Sequence, residues 1–529
     1  MTHSSTNVIP AAELLSAGKP NPAATAIAAP SLVRDVRTAI IWRSGSQIAA
    51  QLVSWSSTLV VMRLLAPADY GLFAMSLVML SFLTFLNGYG FASALVQERD
   101  LDEHRIRQAF GLLLTANGLI ATAQWFMAPT VAAYYGQPVV ADMLRVQTLI
   151  YASTPFIAIP EVLMGRRLDF RSQAVVNMLS AFTGAMLSLF LAWTGFGVWT
   201  LVYAPIAMFW VRAIGLTALA RTLVRPSFDF RGCGSILRFG VAILFTQLFW
   251  LVQTQSDIFV IGRTLSPHEV GVYSQAVFLA TIFYSRFVPP LNEVAFPAYS
   301  RLQDDLPGLR WAFLRSARLI MLLAAPLYVG MAVTARPLVA TLFGPTWNEL
   351  PPLIELMALA MPFMTLQVLF PPALNAIGRP GVPVRMAIAG ALIFAASFAA
   401  AAQFGLIAVA AAWCFGAPVL LLATLLLSRP TLGIGLADMW QALALPAGSS
   451  MAMGGAVWVA DRWALEAMLG FSPLLHLAAL VAIGVASYAA VIHAVDRTAL
   501  GQITALVRRR PDAGPDTGPD TGPKNGLAA

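Results

Sequence analysis

The sequence predicts an all-α polytopic membrane protein with about 14 transmembrane helices. Hydrophobic residues make up 58% of the chain and charged residues only 11%, whereas about a quarter of a typical soluble domain is charged. Apolar runs that approach the roughly 20 residues needed to cross a bilayer recur from residue 39 to residue 495. A segment repeated at an interval of 200 residues predicts that the first 12 helices form two pseudo-symmetric six-helix lobes.

The candidate helices are separated by short loops. The longest loop, from about residue 293 to residue 312, is too short to hold a soluble catalytic domain. In chain order, the apolar runs cover residues 39–62, 71–95, 109–133, 143–164, 173–194, 198–220, 239–262, 271–292, 313–335, 351–376, 386–404, 406–428, 441–460 and 473–495.

The repeat consists of residues 60–76 and 260–276, and each copy is a short hydrophilic turn between two apolar runs. The first copy reads VVMRLLAPADYGLFAMS and the second reads VIGRTLSPHEVGVYSQA. Both turns fall on the predicted outer face, so the repeat is parallel, as in transporters built from two homologous bundles. The matched pairs are Arg63 with Arg263, Leu65 with Leu265, Pro67 with Pro267, Asp69 with Glu269, and Gly71 with Gly271.

The lobes imply a division of the chain into five segments. Residues 37–222 form the predicted N-lobe with helices 1–6, and residues 223–430 form the C-lobe with helices 7–12. Residues 431–497 hold helices 13 and 14, which lie outside the repeat. The tails, residues 1–36 and 498–529, have a composition that cannot bury a core, so we predict that both are disordered.

Arginine placement sets the predicted orientation. With the N-terminus in the cytoplasm, 24 of the 31 arginines fall in cytoplasmic segments and 5 on the opposite side, while Arg212 and Arg286 lie inside spans. Cytoplasmic loops of membrane proteins carry an excess of basic residues, and an even number of spans then places both termini in the cytoplasm. Topology therefore explains the net charge of +8 without a nucleic-acid partner.

Enzyme signatures are absent from the sequence. It contains no Walker A lysine motif, no GxSxG and no HExxH. The five histidines are scattered, and the two cysteines, Cys233 and Cys414, lie in unlike contexts, so we expect neither a metal site nor a disulfide framework. We predict a protein that is not an enzyme and has no cofactor.

Four stretches of the sequence carry a family resemblance. They are RLLAPADYG at 63–71, LMGRRLDF at 163–170, FPAYSRLQDD at 296–305 and LFGPTW at 342–347. Together they resemble the polysaccharide transporter family of oligosaccharide flippases, which is Wzx-like and close to the WzxC type. That family belongs to the same MOP superfamily as the lipid II flippase and the MATE drug exporters. The likeness runs from about residue 37 to residue 430.

The resemblance implies a flippase of the bacterial inner membrane. Members of the family carry undecaprenyl-diphosphate-linked oligosaccharide repeat units from the cytoplasmic to the periplasmic leaflet, for exopolysaccharide, capsule or O-antigen (lipopolysaccharide) biosynthesis. We expect alternating access, with membrane lipids, a polysaccharide polymerase and chain-length machinery as candidate partners. Two other interpretations stay open. A MATE-type ion-coupled small-molecule exporter is disfavoured by the excess of arginine, and a membrane polymerase or ligase of lipid-linked sugars is disfavoured by the short loops.

Arginine and amide side chains within the spans are the candidate substrate-binding residues. A guanidinium stays charged and binds oxyanions through paired hydrogen bonds, and a charge that faced lipid would cost roughly 2.5–3.5 kcal/mol. Arg286 in span 8 is the first candidate, with a snorkelling arginine as its alternative. Arg43, near the start of span 1, is the second, with a positive-inside anchor as its alternative. The polar candidates are Asn87, Gln247 and Gln253.

Two carboxylates within the spans are the candidate coupling residues. Asp257 lies in the polar run QTQSD of span 7 and could carry H⁺ or bind Na⁺, or it could pair with a neighbouring arginine or helix N-terminus. Glu161 in span 4 is the second candidate, with pairing to Arg166 or Arg167 as its alternative.

The duplicated turns hold the candidate gate or structural residues. Because the residues are repeated, we expect a shared structural role, such as pairing of each arginine with the nearby acid or with an opposing helix end. Substrate contact is the alternative. The set comprises Arg63, Asp69, Gly71, Arg263, Glu269 and Gly271.

Overall fold

A computed structural model describes residues 50–85, 103–167, 169–221, 225–229, 234–465 and 472–495. Across these ranges the chain forms helices joined by short turns, and it contains no β-strand there. The prediction of an all-α fold is confirmed for this part of the chain. Both predicted tails lie outside the described residues.

The helices follow the order of the apolar runs. In the first half they are α1 (50–64), α2 (Pro67–Phe85), α3 (Glu103–Tyr135), α4 (Pro138–Ser153), α5 (Pro155–Arg166), α6 (Phe170–Trp193) and α7 (Trp199–Ala220). In the second half they are α8 (Gly234–Thr264), α9 (Pro267–Ser300), α10 (Leu306–Val333), α11 (Ala335–Leu342), α12 (Leu350–Gln367), α13 (Phe370–Ala376), α14 (Gly381–Ala401), α15 (Leu406–Leu432), α16 (Leu436–Ala460) and α17 (Pro473–Val495).

Eleven helical segments among the described residues are long and apolar enough to cross a membrane. Two of these segments each combine two helices, α4 with α5 and α12 with α13. The predicted spans 1, 7 and 8 correspond to α1, α8 and α9, which fall outside this set. The described part of α1 is short, the side chains at the start of α8 lie outside the described residues, and α9 carries polar and charged residues such as Gln275 and Arg286. The total of about 14 spans therefore stays a prediction.

Proline divides predicted span 4 into the helices α4 and α5. Pro155 has no N–H and cannot continue the hydrogen-bond ladder of α4. The N–H of Thr154 bonds to the carbonyl of Tyr151 at 3.2 Å, one residue short of its usual partner. The hydroxyl groups of Ser153 and Thr154 donate to the carbonyl of Ile150 instead, at 2.7 and 3.2 Å. The break is thus satisfied by side chains, as a helix inside a membrane requires.

The chain divides into two compact units. Unit 1 comprises residues 1–65 and 79–244, and unit 2 comprises residues 66–78 and 245–529. The start of α2 therefore belongs to unit 2 and the end of α2 to unit 1. The lobe boundaries inferred from the repeat stay predictions.

The core of unit 1 holds α5, α6 and α7 together. Ile157 and Met164 of α5 are buried against Val176 of α6 and against Ala213 and Leu216 of α7. An apolar core between three helices fixes the direction in which their remaining faces point. It therefore also positions the polar residues that these helices carry.

The core of unit 2 includes the last two helices. Met453 and Val457 of α16 are buried against Leu480 of α17. The hydroxyl of Tyr488 in α17 donates to the carbonyl of Leu322 in α10 at 2.7 Å. Helices α16 and α17, which the sequence places outside the repeat, are thus packed on α10.

Candidate functional site

A polar cavity of about 740 Å³ lies within unit 1, between α1, α5, α6 and α7. Ligand pockets typically measure about 300–1,000 Å³, so the cavity is large enough for a small ligand or for part of a larger one. Its wall is unusual for a membrane helix bundle because it carries charged, amide and hydroxyl groups. The polar residues of the wall include Gln51, Glu161, Arg166, Gln173, Asn177 and Arg212.

An ion pair between two spans forms one side of this cavity. Nη2 of Arg212 lies 2.7 Å from Oε1 of Glu161, and their side chains are 28% and 35% exposed. Opposite charges inside apolar helices pair because neither is tolerated alone in lipid. Glu161 thus has a partner in α7, which the sequence analysis did not name. In addition, the amide of Gln173 donates to the backbone carbonyl of Glu161 at 2.9 Å.

Two polar atoms near this pair are left without a partner. Oδ1 of Asn177 and Nε of Arg212 are buried and accept or donate no hydrogen bond within the described part of the chain. Each unsatisfied buried group costs about 1–3 kcal/mol, and such groups are few in native proteins. The protein groups alone therefore do not complete the hydrogen bonding of this wall.

A second polar cluster surrounds Asp257 in unit 2. The side chain of Asp257 is 2% exposed. The hydroxyl of Tyr273 in α9 donates to Oδ2 of Asp257 at 3.1 Å, and Nε1 of Trp413 in α15 donates to the same hydroxyl oxygen at 2.8 Å. The N–H of Ile258 donates to Oδ1 at 2.7 Å. Among the described residues, no basic side chain pairs with Asp257, so the alternative of an arginine partner finds no support there.

Gln253 lies one turn before Asp257 and is also buried, with 4% exposure. Its amide oxygen packs directly on Gly390 of α14, where a Cβ atom would overlap it. Oγ of Ser256 in α8 and Oε1 of Gln275 in α9 are buried and lack a hydrogen-bond partner in the described part of the chain. Helices α8 and α9 thus both present polar groups to the interior of unit 2.

The two duplicated turns have the same local structure. Oδ2 of Asp69 accepts from the N–H of Ala66 at 3.1 Å, and Oε2 of Glu269 accepts from the N–H of Ser266 at 2.9 Å. Oγ of Ser266 in turn accepts from the N–H of Glu269 at 3.3 Å, which completes a capping box at the start of α9. The repeated acids thus satisfy free N–H groups at helix starts.

The repeated glycines bring the two turns together within unit 2. A Cβ atom on Gly71 would overlap the carbonyl oxygen of Pro267, and one on Gly271 would overlap the carbonyl oxygen of Pro67. The contact is reciprocal because each glycine meets the equivalent proline of the other copy. Glycine permits this close approach of two backbones because it has no side chain.

The other predicted site residues are more dispersed. Arg286 is exposed on α9, three residues before Pro289, and makes no ion pair within the described part of the chain. Arg63 and Arg263 are exposed at the ends of α1 and α8. Arg43 and Asn87 lie outside the described residues, as does the side chain of Gln247. No metal-binding group of three or more ligands is found among the described residues.

The profile of a family described as polysaccharide biosynthesis protein matches residues 60–352. This is more than half of the chain. The chain belongs to that family. The resemblance seen in four sequence stretches is thereby confirmed.

Two curated relatives of this chain are informative. It is 28% identical over 323 residues to the succinoglycan biosynthesis transport protein ExoT of Rhizobium meliloti (strain 1021), across 61% of this chain and 65% of ExoT. It is 22% identical over 307 residues to the lipopolysaccharide biosynthesis protein WzxC of Escherichia coli (strain K12), across 56% of this chain and 61% of WzxC. The matches span less than two thirds of either relative.

Solved structures of low identity share the fold. The lipid II flippase MurJ in an inward closed conformation aligns with a TM-score of 0.68 at 14% identity, covering 87% of this chain and 100% of that chain. An inward-facing multidrug resistance MATE transporter of the MOP superfamily aligns with a TM-score of 0.54 at 17% identity, covering 75% and 98%. The chain is therefore a multi-pass membrane protein with the fold of these two structures.

The sequence alone does not identify the partners of the two coupling candidates. Arg212 is a charge inside predicted span 6, and because such charges pair, an acid in a neighbouring span such as Glu161 is its expected partner. Tyr273 lies within the second copy of the repeat, where the first copy has Phe73. A hydroxyl present in only one copy was the signal that could have marked it as a partner for Asp257.

Proposed function

We propose that this protein is a flippase that moves undecaprenyl-diphosphate-linked oligosaccharide repeat units from the cytoplasmic to the periplasmic leaflet of the bacterial inner membrane. The observation that carries the proposal is the polar cavity of unit 1, about 740 Å³ in volume and bordered by apolar helices. A sugar chain cannot cross hydrocarbon unaided because its hydroxyl groups would lose their hydrogen bonds to water. A membrane-embedded wall of polar side chains replaces those bonds.

Family membership makes lipid-linked sugars the preferred cargo. The relatives are named for succinoglycan transport and lipopolysaccharide biosynthesis, processes that build extracellular polysaccharide. In our proposal the lipid tail stays in the bilayer while the polar head crosses by alternating access. Both termini lie in the cytoplasm, and a periplasmic polymerase with its chain-length machinery consumes the product.

Arg286 is the proposed ligand of the diphosphate group. Its guanidinium is exposed on α9 and has no acidic partner among the described residues. A guanidinium whose charge is not neutralised by a carboxylate can form paired hydrogen bonds to phosphate oxygens. By contrast, Arg212 is already bound to Glu161, which makes it less suited to this task.

Asp257 is the proposed site of proton coupling. It is buried without a basic partner in the described part of the chain, and its hydrogen bonds come from Tyr273 and a backbone N–H. A carboxyl group that no basic side chain neutralises can bind and release a proton without breaking an ion pair. Proton uptake and release at Asp257 would then accompany the transport cycle, with Na⁺ as the competing ion.

The test uses proteoliposomes that contain a fluorescent undecaprenyl-diphosphate oligosaccharide. An impermeant quencher is added outside the vesicles. We expect protein-dependent protection of the label, which falls in Arg286→Ala and stays unchanged in Arg379→Ala, an exposed arginine of unit 2. Transport that is unaffected by Arg286→Ala would remove the diphosphate role from this residue. No transport at all, with an ion gradient in place, would favour the small-molecule exporter.

A further inference from the structure

The chemistry of the unit 1 cavity specifies the part of the substrate that it fits. Three kinds of planar polar group meet there: one carboxylate, two guanidinium groups and three amides. They belong to Glu161, to Arg166 and Arg212, and to Gln51, Gln173 and Asn177. Planar groups of this type form two hydrogen bonds at once. Neighbouring hydroxyl groups on a sugar ring provide two partners at a matching distance.

The ion pair on the cavity wall disfavours a phosphate beside it. Nη2 of Arg212 contacts Oε1 of Glu161 at 2.7 Å, so this pair carries no net charge, and Arg166 is the remaining charged residue of the lining. A phosphate only accepts hydrogen bonds from the protein and would be repelled by the carboxylate of Glu161. A hydroxyl group both donates and accepts, so it can bond to Glu161 and Arg212 without separating them.

The remaining wall of the cavity is apolar and includes aromatic rings. Phe170 and Phe209 line it, together with Met208. A sugar ring carries hydroxyl groups at its edge and C–H groups on its faces. A cavity with a few polar groups on a largely apolar wall orients such a ligand through its polar edge and covers its faces.

Asn177 lines the cavity and carries one of its unsatisfied hydrogen-bonding atoms. Its Oδ1 atom and Nε of Arg212 are both buried without a partner in the described part of the chain. Both residues are half-buried on the same wall. A small rotation of either side chain towards a bound hydroxyl group would supply the missing bond.

We propose that the unit 1 cavity is a saccharide subsite, which binds neutral sugar residues of the cargo through Glu161, Arg212 and Asn177. The proposal rests on the flippase function proposed above and adds a division of labour. The diphosphate is bound elsewhere, while this cavity binds and recognises the sugars. The subsite therefore contributes to the choice of repeat unit.

The first test compares two cargo lipids in proteoliposomes. One is the complete lipid-linked repeat unit extracted from the source cells, and the other is the same lipid trimmed by glycosidases to its first sugar. We expect Asn177→Ala to slow transport of the complete lipid about tenfold, the equivalent of about 1.4 kcal/mol, and to leave the trimmed lipid unaffected. Thr183→Ala, at a half-buried position of the same helix that does not line the cavity, is the matched control.

The second test measures binding without transport. The probe is the free oligosaccharide released from the same lipid by mild acid, titrated into the purified full-length protein in a calorimeter. We expect binding that weakens about tenfold in Asn177→Ala and in Arg212→Gln, with thermal unfolding of each variant checked first. Because Arg212→Gln leaves Glu161 unpaired and could fail to fold, Asn177→Ala decides the outcome.

The two tests separate the failure of each proposal. If both cargo lipids are transported but Asn177→Ala behaves like Thr183→Ala with either of them, the saccharide subsite is wrong and the flippase function stands. If free oligosaccharide binds through Asn177 but neither lipid is transported, the subsite stands and the flippase function is wrong. Equal slowing of both lipids would also overturn the subsite, because a sugar-reading cavity has no role with the trimmed cargo.

Discussion

The backbones of Gly71 and Gly271 lie in close contact within unit 2. Because neither glycine has a side chain, each leaves room for the turn of the other repeat copy. The contact joins equivalent positions of the two repeat copies. It is therefore self-complementary, like the contact across a two-fold axis. The repeated acids Asp69 and Glu269 cap the starts of α2 and α9, the two helices that meet here.

Alanine at either glycine should weaken this contact. The added methyl group of Gly71→Ala would overlap the carbonyl of Pro267, and overpacking of this kind costs about 1–3 kcal/mol. We expect a lower thermal unfolding midpoint in detergent for Gly71→Ala and for Gly271→Ala. Gly448→Ala on α16, where a Cβ atom meets nothing within 4 Å, should not lower the midpoint. Similar midpoints for all three variants would contradict the contact.

The hydrogen bonds at Asp257 should be coupled energetically. Tyr273→Phe removes the hydroxyl that donates to Asp257 and accepts from Trp413. Leaving these buried groups unpaired should cost about 1–3 kcal/mol. In a double-mutant cycle, Trp413→Phe should add little once Tyr273→Phe is present, because its partner is already gone. Strictly additive losses in unfolding free energy would show that the two hydrogen bonds of Tyr273 are not coupled.

Asparagine at position 257 should uncouple transport from protons. Asp257→Asn keeps the shape of the side chain but cannot bind or release a proton. We expect transport of the lipid-linked oligosaccharide to lose its response to an imposed proton gradient. Asp304→Asn, the same change at an exposed acid of unit 2, is the matched control and should leave this response intact. A response to a Na⁺ gradient that disappears in Asp257→Asn would identify the other ion.

Glutamine at position 161 should turn the cavity of unit 1 into an anion site. In the wild type, the carboxylate of Glu161 neutralises Arg212. Glu161→Gln leaves the guanidinium with an uncompensated charge, which attracts phosphate oxygens. We expect measurable binding of inorganic pyrophosphate to Glu161→Gln by calorimetry and none to the wild type at this position. Asp142→Asn, which frees Arg145 from an exposed pair, controls for general surface charge and should bind no more than the wild type.

The fold was predictable from the sequence because the bilayer imposes a simple rule. Each helix needs a long apolar run, so the positions of the helices follow from hydropathy alone. The proline-induced break between α4 and α5 follows the same local logic, since Pro155 removes a hydrogen bond regardless of its surroundings. Local signals of this kind need no knowledge of which helices are neighbours.

The candidate site was less predictable because its contacts join distant parts of the chain. Asp257 and Glu161 are identifiable from their own helices as acids within predicted spans. Their partners are not, because Tyr273 and Arg212 lie on other helices and reach them only through packing between helices. The capping role of Asp69 and Glu269 follows from their position three residues after the turn. The sequence also allows each acid to pair with the nearby arginine. Geometry across helices is the information that one sequence lacks.

The packing of α16 and α17 on α10 has a consequence for biosynthesis. The ribosome finishes α10 at Val333 but completes α16 only at Ala460 and α17 only at Val495. At about 5–20 residues per second, the delay is on the order of ten seconds. During this interval the nascent chain presents the face of α10 around Leu322 without its final neighbours. Lipid, an insertase or a membrane chaperone must cover that face until the last two helices leave the translocon.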